Sequence, residues 1–146
     1  MEKQSKINEA VACFQDGFNC SQAVVSTYCE QFGLDKETAL KVSCGFGGGM
    51  GRLGEVCGAV TGAYMIIGLK YGQYNLKDTA AKDKTYETVR EFTRLFEEKN
   101  NTTICRKLLG IDIANTEKKA AVERIKSICP KFVQDSAEIL EEILPV

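Results

Sequence analysis

Apolar positions recur along most of this chain at spacings of three and four, the period of a helix with one buried face. Over residues 3 to 16 the repeating set is Ile7, Ala10, Val11 and Phe14, and the pattern breaks at Asp16-Gly17. Asn19 is suited to cap a second helix carrying Ala23, Val24, Thr27 and Tyr28, which stops by Gly33. Asp35 can cap a third, short helix through Leu40 and Val42, with Cys44 at its C-terminal end. The run from Cys57 to Tyr71 is apolar on nearly every side, as a helix at the centre of a bundle would be.

The longest periodic stretch, residues 79 to 98, sets Ala81, Tyr86, Val89, Phe92 and Phe96 on one side. A short helix is expected over Thr103 to Leu109, closed by Gly110, and Asn115 or Thr116 can cap the segment containing Ala121, Val122, Ile125 and Ile128. Proline favours the first position of a helix, so Cys129-Pro130 predicts that a last helix begins there. That helix carries Val133, Ala137, Leu140 and Leu144. No stretch alternates with the period of a strand. The predicted class is therefore all-α, a single-domain bundle of about six to seven helices around the central apolar helix 57–71.

Between the third and central helices the pattern gives way to glycine. Nine glycines fall between Cys44 and Gly68, a density whose entropic cost implies close backbone approach or unusual dihedral angles. The spacing Gly49-x-Gly51-x-x-Gly54 matches a dinucleotide fingerprint, but no strand precedes it and no lysine completes a phosphate loop. The expected role is a loop-to-helix platform that presents Cys57, with Gly47, Gly48, Gly49, Gly51 and Gly58 able to close over a bound group. Arg52 and Glu55 flank it and can position an electron partner or a small anion, although surface solvation is the simpler role.

Composition narrows the chemistry. The 146 residues carry a formal net charge of −1, which gives no basic excess for nucleic acid. The polar opening stretch lacks the apolar core of a signal peptide, and Val56 to Leu69 is too short to span a bilayer, so a cytoplasmic location with no membrane role is expected. There are seven cysteines and no histidine. The missing histidine excludes a Cys/His hydrolase, a Ser/His/Asp triad, histidine-bound zinc and histidine-ligated haem. Thiol chemistry, thiolate-bound metal and inert buried cysteine remain.

The predicted elements sort the cysteines. Cys20, Cys57, Cys105 and Cys129 fall at or within a turn of a helix start, where free amides and the helix dipole favour a thiolate. Cys13 and Cys29 lie inside helices, and Cys44 sits at a C-terminus. From this placement alone the four either share a site or pack singly as inert buried thiols. Taken with the resemblance of the surrounding strings to a known family, their sulfurs are expected to lie together, within one coordination sphere or disulfide reach, with Cys13 and Cys29 elsewhere and Cys44 incidental.

The strings F-N-C-S-Q-A-V, F-G-G-G-M-G-R, C-G-A-V-T-G-A and C-R-K-L-L-G, with Cys20, Cys57, Cys105 and Cys129 in order, resemble the C_GCAxxG_C_C family of redox-active proteins over residues 17 to 130. In this chain Cys57 and Gly58 stand in reverse order relative to the family's G-C. The resemblance further implies a similarity to the iron–sulfur segment of split-Soret cytochromes, where such cysteines hold a cluster.

Three chemistries follow for the four thiols. They can ligate an iron–sulfur cluster, with an unidentified protein as electron partner. They can cycle between dithiol and disulfide without any cofactor. A four-thiolate zinc site is weaker, because such sites usually arrive as closely spaced pairs. A different class of reading is an interaction module, a homodimer formed through the small residues Gly58, Gly62 and Ala63.

Overall fold

A computed structural model describes residues 4–144. Among them are seven α-helices: α1 Ile7–Gln15, α2 Cys20–Tyr28, α3 Lys36–Cys44, α4 Gly58–Tyr71, α5 Thr79–Asn100, α6 Cys105–Leu109 and α7 Lys118–Ile143. No strand is present among the described residues, only an isolated antiparallel bridge between Val56 and Ile104. The all-α expectation holds, and the predicted start at residue 3 lies outside the described residues.

Local chemistry accounts for several boundaries. Asn19 closes a capping box on α2: its side chain accepts from the Gln22 amide, and Gln22 Oε1 accepts from the Asn19 amide. Asp35 and Asp78 cap α3 and α5 through the amides of Thr38 and Ala81. After α2 a 3₁₀ turn, Glu30–Phe32, ends at Gly33 with φ of 89°. Asn115 and Thr116 do not cap α7. Both instead bond back to Asp112, closing a turn of their own, and α7 starts after Glu117.

The larger correction concerns Pro130. No helix begins there: α7 continues through the proline without interruption. An interior proline removes one backbone bond and costs about 3 kcal/mol. Packing against α1, α2, α4, α5 and α6 holds the helix together across it. Cys129 consequently lies in the middle of a helix and has no helix start beneath it.

Helix α4 occupies the centre, as its all-round apolar pattern predicts. Ala59, Val60, Ala63, Ile66 and Ile67 are fully buried, although Leu69 near its end reaches solvent. Its small face packs on α2: a side chain on Gly62 would meet the Ser21 carbonyl oxygen at 3.0 Å and Val24 Cβ at 3.3 Å. That face is filled within the chain and offers no surface to a second copy. Phe92 and Phe96 of α5 and Phe132 of α7 form an aromatic row with ring centroids 6.1 and 6.3 Å apart. Ser136 ties α7 to the first turn of α4 by donating to the Ala59 carbonyl at 2.7 Å. Among the described residues, no helix is long and apolar enough to cross a membrane.

Candidate thiol site

The glycine stretch after α3 folds into an unusual turn. Gly48, Gly49, Met50, Gly51 and Arg52 all have φ between 60 and 68°. Five consecutive left-handed residues would cost an ordinary sequence about 1–2 kcal/mol each, so glycine at three of them makes the turn possible. The amides of Gly54 and Glu55 close the loop by donating to the carbonyls of Gly48 and Gly49, at 3.2 and 2.9 Å. One product is that the Gly48 amide faces the sulfur of Cys20.

Past the turn, the chain pairs with the segment ahead of α6. The Cys57 amide donates to the Thr103 carbonyl at 2.8 Å, and the Cys105 amide donates to the Glu55 carbonyl at 2.6 Å. This short ladder around Val56 and Ile104 sets the starts of α4 and α6 side by side. A side chain at Gly49 would lie 2.6 Å from Cys105 Cβ, and one at Gly58 would lie 2.5 Å from Cys20 Sγ. Both glycines are needed for close approach.

Cys20, Cys57, Cys105 and Cys129 thus line one cavity of about 810 Å³, together with Gly47, Gly48, Gly51 and Gly58. All four cysteines are buried, with relative exposures of 4–7 %. Cys13 and Cys29 lie elsewhere, both against Ser26: the Cys13 sulfur is 3.5 Å from Ser26 Oγ, and the Cys29 thiol donates to the Ser26 carbonyl at 3.5 Å. Gly49 is not on the cavity wall and acts behind it, against Cys105. Among the described residues, no group of three or more Cys, Asp or Glu is gathered closely enough to hold a metal ion. The four sulfurs share one cavity as expected, but they are not gathered into one coordination sphere.

The electrostatics differ from the simple helix-start expectation. Cys20 alone is lowered, from 9.0 to about 7, chiefly because the Cys57 thiol lies close enough to share its proton with the Cys20 sulfur. Amides of Gly48, Ser21 and Gly58 add to this against the opposing effect of burial. Cys57 is pushed well above its usual value, first by serving as that donor and then by burial. Burial raises Cys105 to about 11, and it raises Cys129 well above the usual thiol range. No helix start offsets the burial: the Cys105 amide is already spent on the ladder, α6 is five residues long, and Cys129 lies mid-helix.

Several residues on the cavity were not assigned to it by the sequence reading, which set Cys44 aside as incidental. Cys44 is exposed yet lines the same cavity, and its carbonyl accepts from Asn19 Nδ2 at 2.9 Å, joining it to the cap just ahead of Cys20. Its place at the head of the glycine stretch was the available signal. Phe18 and Lys126 also line the cavity, and nothing in their spacing marks them. Arg52 lines the cavity too, whereas Glu55 forms a 3.2 Å ion pair with Arg106.

The family model described as "Putative redox-active protein (C_GCAxxG_C_C)" matches residues 18–143. The chain belongs to this family. No curated protein and no solved structure is significantly similar to it. The match runs from just before Cys20 to the end of α7 and so contains all four cysteines and both halves of the ladder. A redox role follows from membership, and the reversed Cys57-Gly58 order leaves Cys57 as the N-cap of α4 with Gly58 free to approach Cys20.

Proposed function

We propose that the four buried thiols form an electron-transfer centre that holds an iron–sulfur cluster, with Cys20, Cys57, Cys105 and Cys129 as its ligands. The observation that carries this reading is their convergence: four helices each contribute one buried cysteine to one cavity. The donor set is all sulfur, which suits iron–sulfur clusters, whereas zinc sites usually arrive as closely spaced pairs of cysteines. The left-handed turn contributes the Gly48 amide at Cys20, joined there by the amides of Ser21 and Gly58. Amide donors and exclusion of water are the means by which a protein tunes such a centre. A bound cluster would supply a one-electron store.

The test is anaerobic purification followed by visible spectroscopy and assays of iron and acid-labile sulfide. A brown, sulfide-containing protein is expected, with the colour lost on Cys→Ser substitution at any of the four positions and kept at Cys13 and Cys29. Colourless protein after anaerobic reconstitution with iron and sulfide would overturn the reading.

A second reading is favoured by one observation, the asymmetric pair Cys20 and Cys57. A thiolate beside a protonated thiol is the arrangement for disulfide exchange. The Cys20 thiolate would attack a partner's disulfide, forming a mixed disulfide and releasing one partner thiolate. Cys57, losing its proton, would then attack the Cys20 sulfur, closing the Cys20–Cys57 disulfide and releasing the second partner thiolate. The partner is reduced by two electrons and this chain is oxidised by two. Equilibration in oxidised and reduced dithiothreitol, with mass spectrometry of the bridged peptide, tests it.

A further inference from the structure

The buried thiols make up only the floor of the cavity. Its walls include Phe14, Phe18 and Ile125, and its rim carries Arg52 and Lys126, both exposed. The volume of about 810 Å³ falls in the range of small-molecule sites, about 300–1,000 Å³. Neither rim cation has an ion-pair partner among the described residues, whereas Arg94, Lys99, Arg106 and Lys131 are all paired. Asp16 is the one carboxylate on the lining, so the rim carries an excess of positive charge.

Arg52 is also held in a strained conformation. Its φ of 64° is costly for any residue with a side chain, and such strain gathers at functional positions. The same conformation lays its side chain across Gly48, where a Cβ would come 2.8 Å from Arg52 Cγ. Gly48 in turn faces the Cys20 sulfur. The cation is therefore built into the turn that forms the thiol floor.

We propose that this cavity binds an organic anion with an apolar body. Arg52 and Lys126 meet its charge at the rim, and Phe14, Phe18 and Ile125 receive its body above the thiols. This rests on the redox reading for the use made of the ligand, while the binding itself stands apart from it.

Cys44, exposed on the same cavity and outside the four-thiol set, serves as a reporter. Its alkylation by anionic iodoacetate and by neutral iodoacetamide is measured site by site in the full chain, with the half-exposed Cys13 as internal reference. The iodoacetate-to-iodoacetamide rate ratio is expected to be higher at Cys44 than at Cys13. It should fall to the Cys13 value in the Arg52→Gln/Lys126→Gln variant. In parallel, 8-anilinonaphthalene-1-sulfonate is titrated by fluorescence. Binding about fivefold to tenfold weaker is expected for the double variant, and tighter binding for Asp16→Asn. Equal ratios at the two cysteines, or fluorophore binding indifferent to all three substitutions in variants with unchanged circular dichroism, would overturn the proposal. Iron and sulfide content of the same samples reports separately on the redox reading, so either can fail alone.

Discussion

Gly58 sits directly against the sulfur of Cys20, so closely that a Cβ at this position would come within 2.5 Å of Sγ. The same Cβ would lie 2.9 Å from the Phe46 carbonyl oxygen and 3.0 Å from the Ser21 amide nitrogen, neither of which can swing aside as a side chain could. Gly58→Ala is therefore expected to cost about 1–3 kcal/mol in stability and to displace Cys20 from the cavity floor. Chemical denaturation gives the first quantity. Loss of the visible signal, or of Cys20–Cys57 bridging, gives the second. A variant with wild-type stability and signal would contradict the packing.

Cys20 and Cys57 carry a pH prediction for the reduced, iron-free protein. With Cys20 lowered from 9.0 to about 7, its alkylation rate should rise through pH 7 and level off while an ordinary thiol is still gaining. Cys57→Ala removes the largest cause, so the midpoint should move up. Site-resolved alkylation from pH 5 to 10 checks both.

The same thiols bear on stability with opposite signs. The Cys20 contribution is complete above its unfolded value of 9.0 and is lost as pH falls through about 7. Cys57, Cys105 and Cys129 have raised folded values, so their contributions are complete below 9.0 and lost above it, for Cys105 as pH rises towards about 11. Above pH 9 the Cys20 contribution no longer changes, so the three raised groups set the trend. The reduced protein should lose resistance to urea above pH 9, and less steeply after Cys129→Ala.

Pro130 predicts a gain. The helix runs through it, so Pro130→Ala restores an amide donor for the Lys126 carbonyl and should stabilise the fold by up to about 3 kcal/mol. The thermal midpoint measures this. A loss of stability would mean that the shape of the proline is itself needed to seat Cys129.

Tyr28 offers a change remote from the thiols. Its buried hydroxyl donates to Glu141 Oε2, which also accepts from the Lys6 amide, clamping α2 and the start of α1 to α7. Tyr28→Phe should cost about 1–3 kcal/mol and leave the thiol signal intact. Matched denaturation and spectroscopic measurements separate these effects.

Local chemistry made much of this readable in advance. Asn19, Asp35 and Gly110 mark their boundaries because caps and left-handed closures act within a few residues, and the all-round apolar run from Val56 to Leu69 marks the central helix for the same reason. Pro130 misled because the local preference of proline for a helix start yields to long-range packing on five other helices. The cysteine arrangement was only half legible. Predicted helix starts and family resemblance named four of the five cysteines on the cavity, but their differing acidity depends on which amides the ladder consumes, and that pairing joins segments far apart in sequence. The cavity rim, with Phe18 and Lys126, exists only once α7 lies across the loop before α2.

The ladder between the segments before α4 and α6 also fixes when the centre can be completed during synthesis. Cys20, Cys57 and Cys105 can come together once residues through α6 have emerged, but the fourth wall awaits the middle of α7. Closure of the four-cysteine cavity is thus a late event in synthesis, because its fourth cysteine lies in α7.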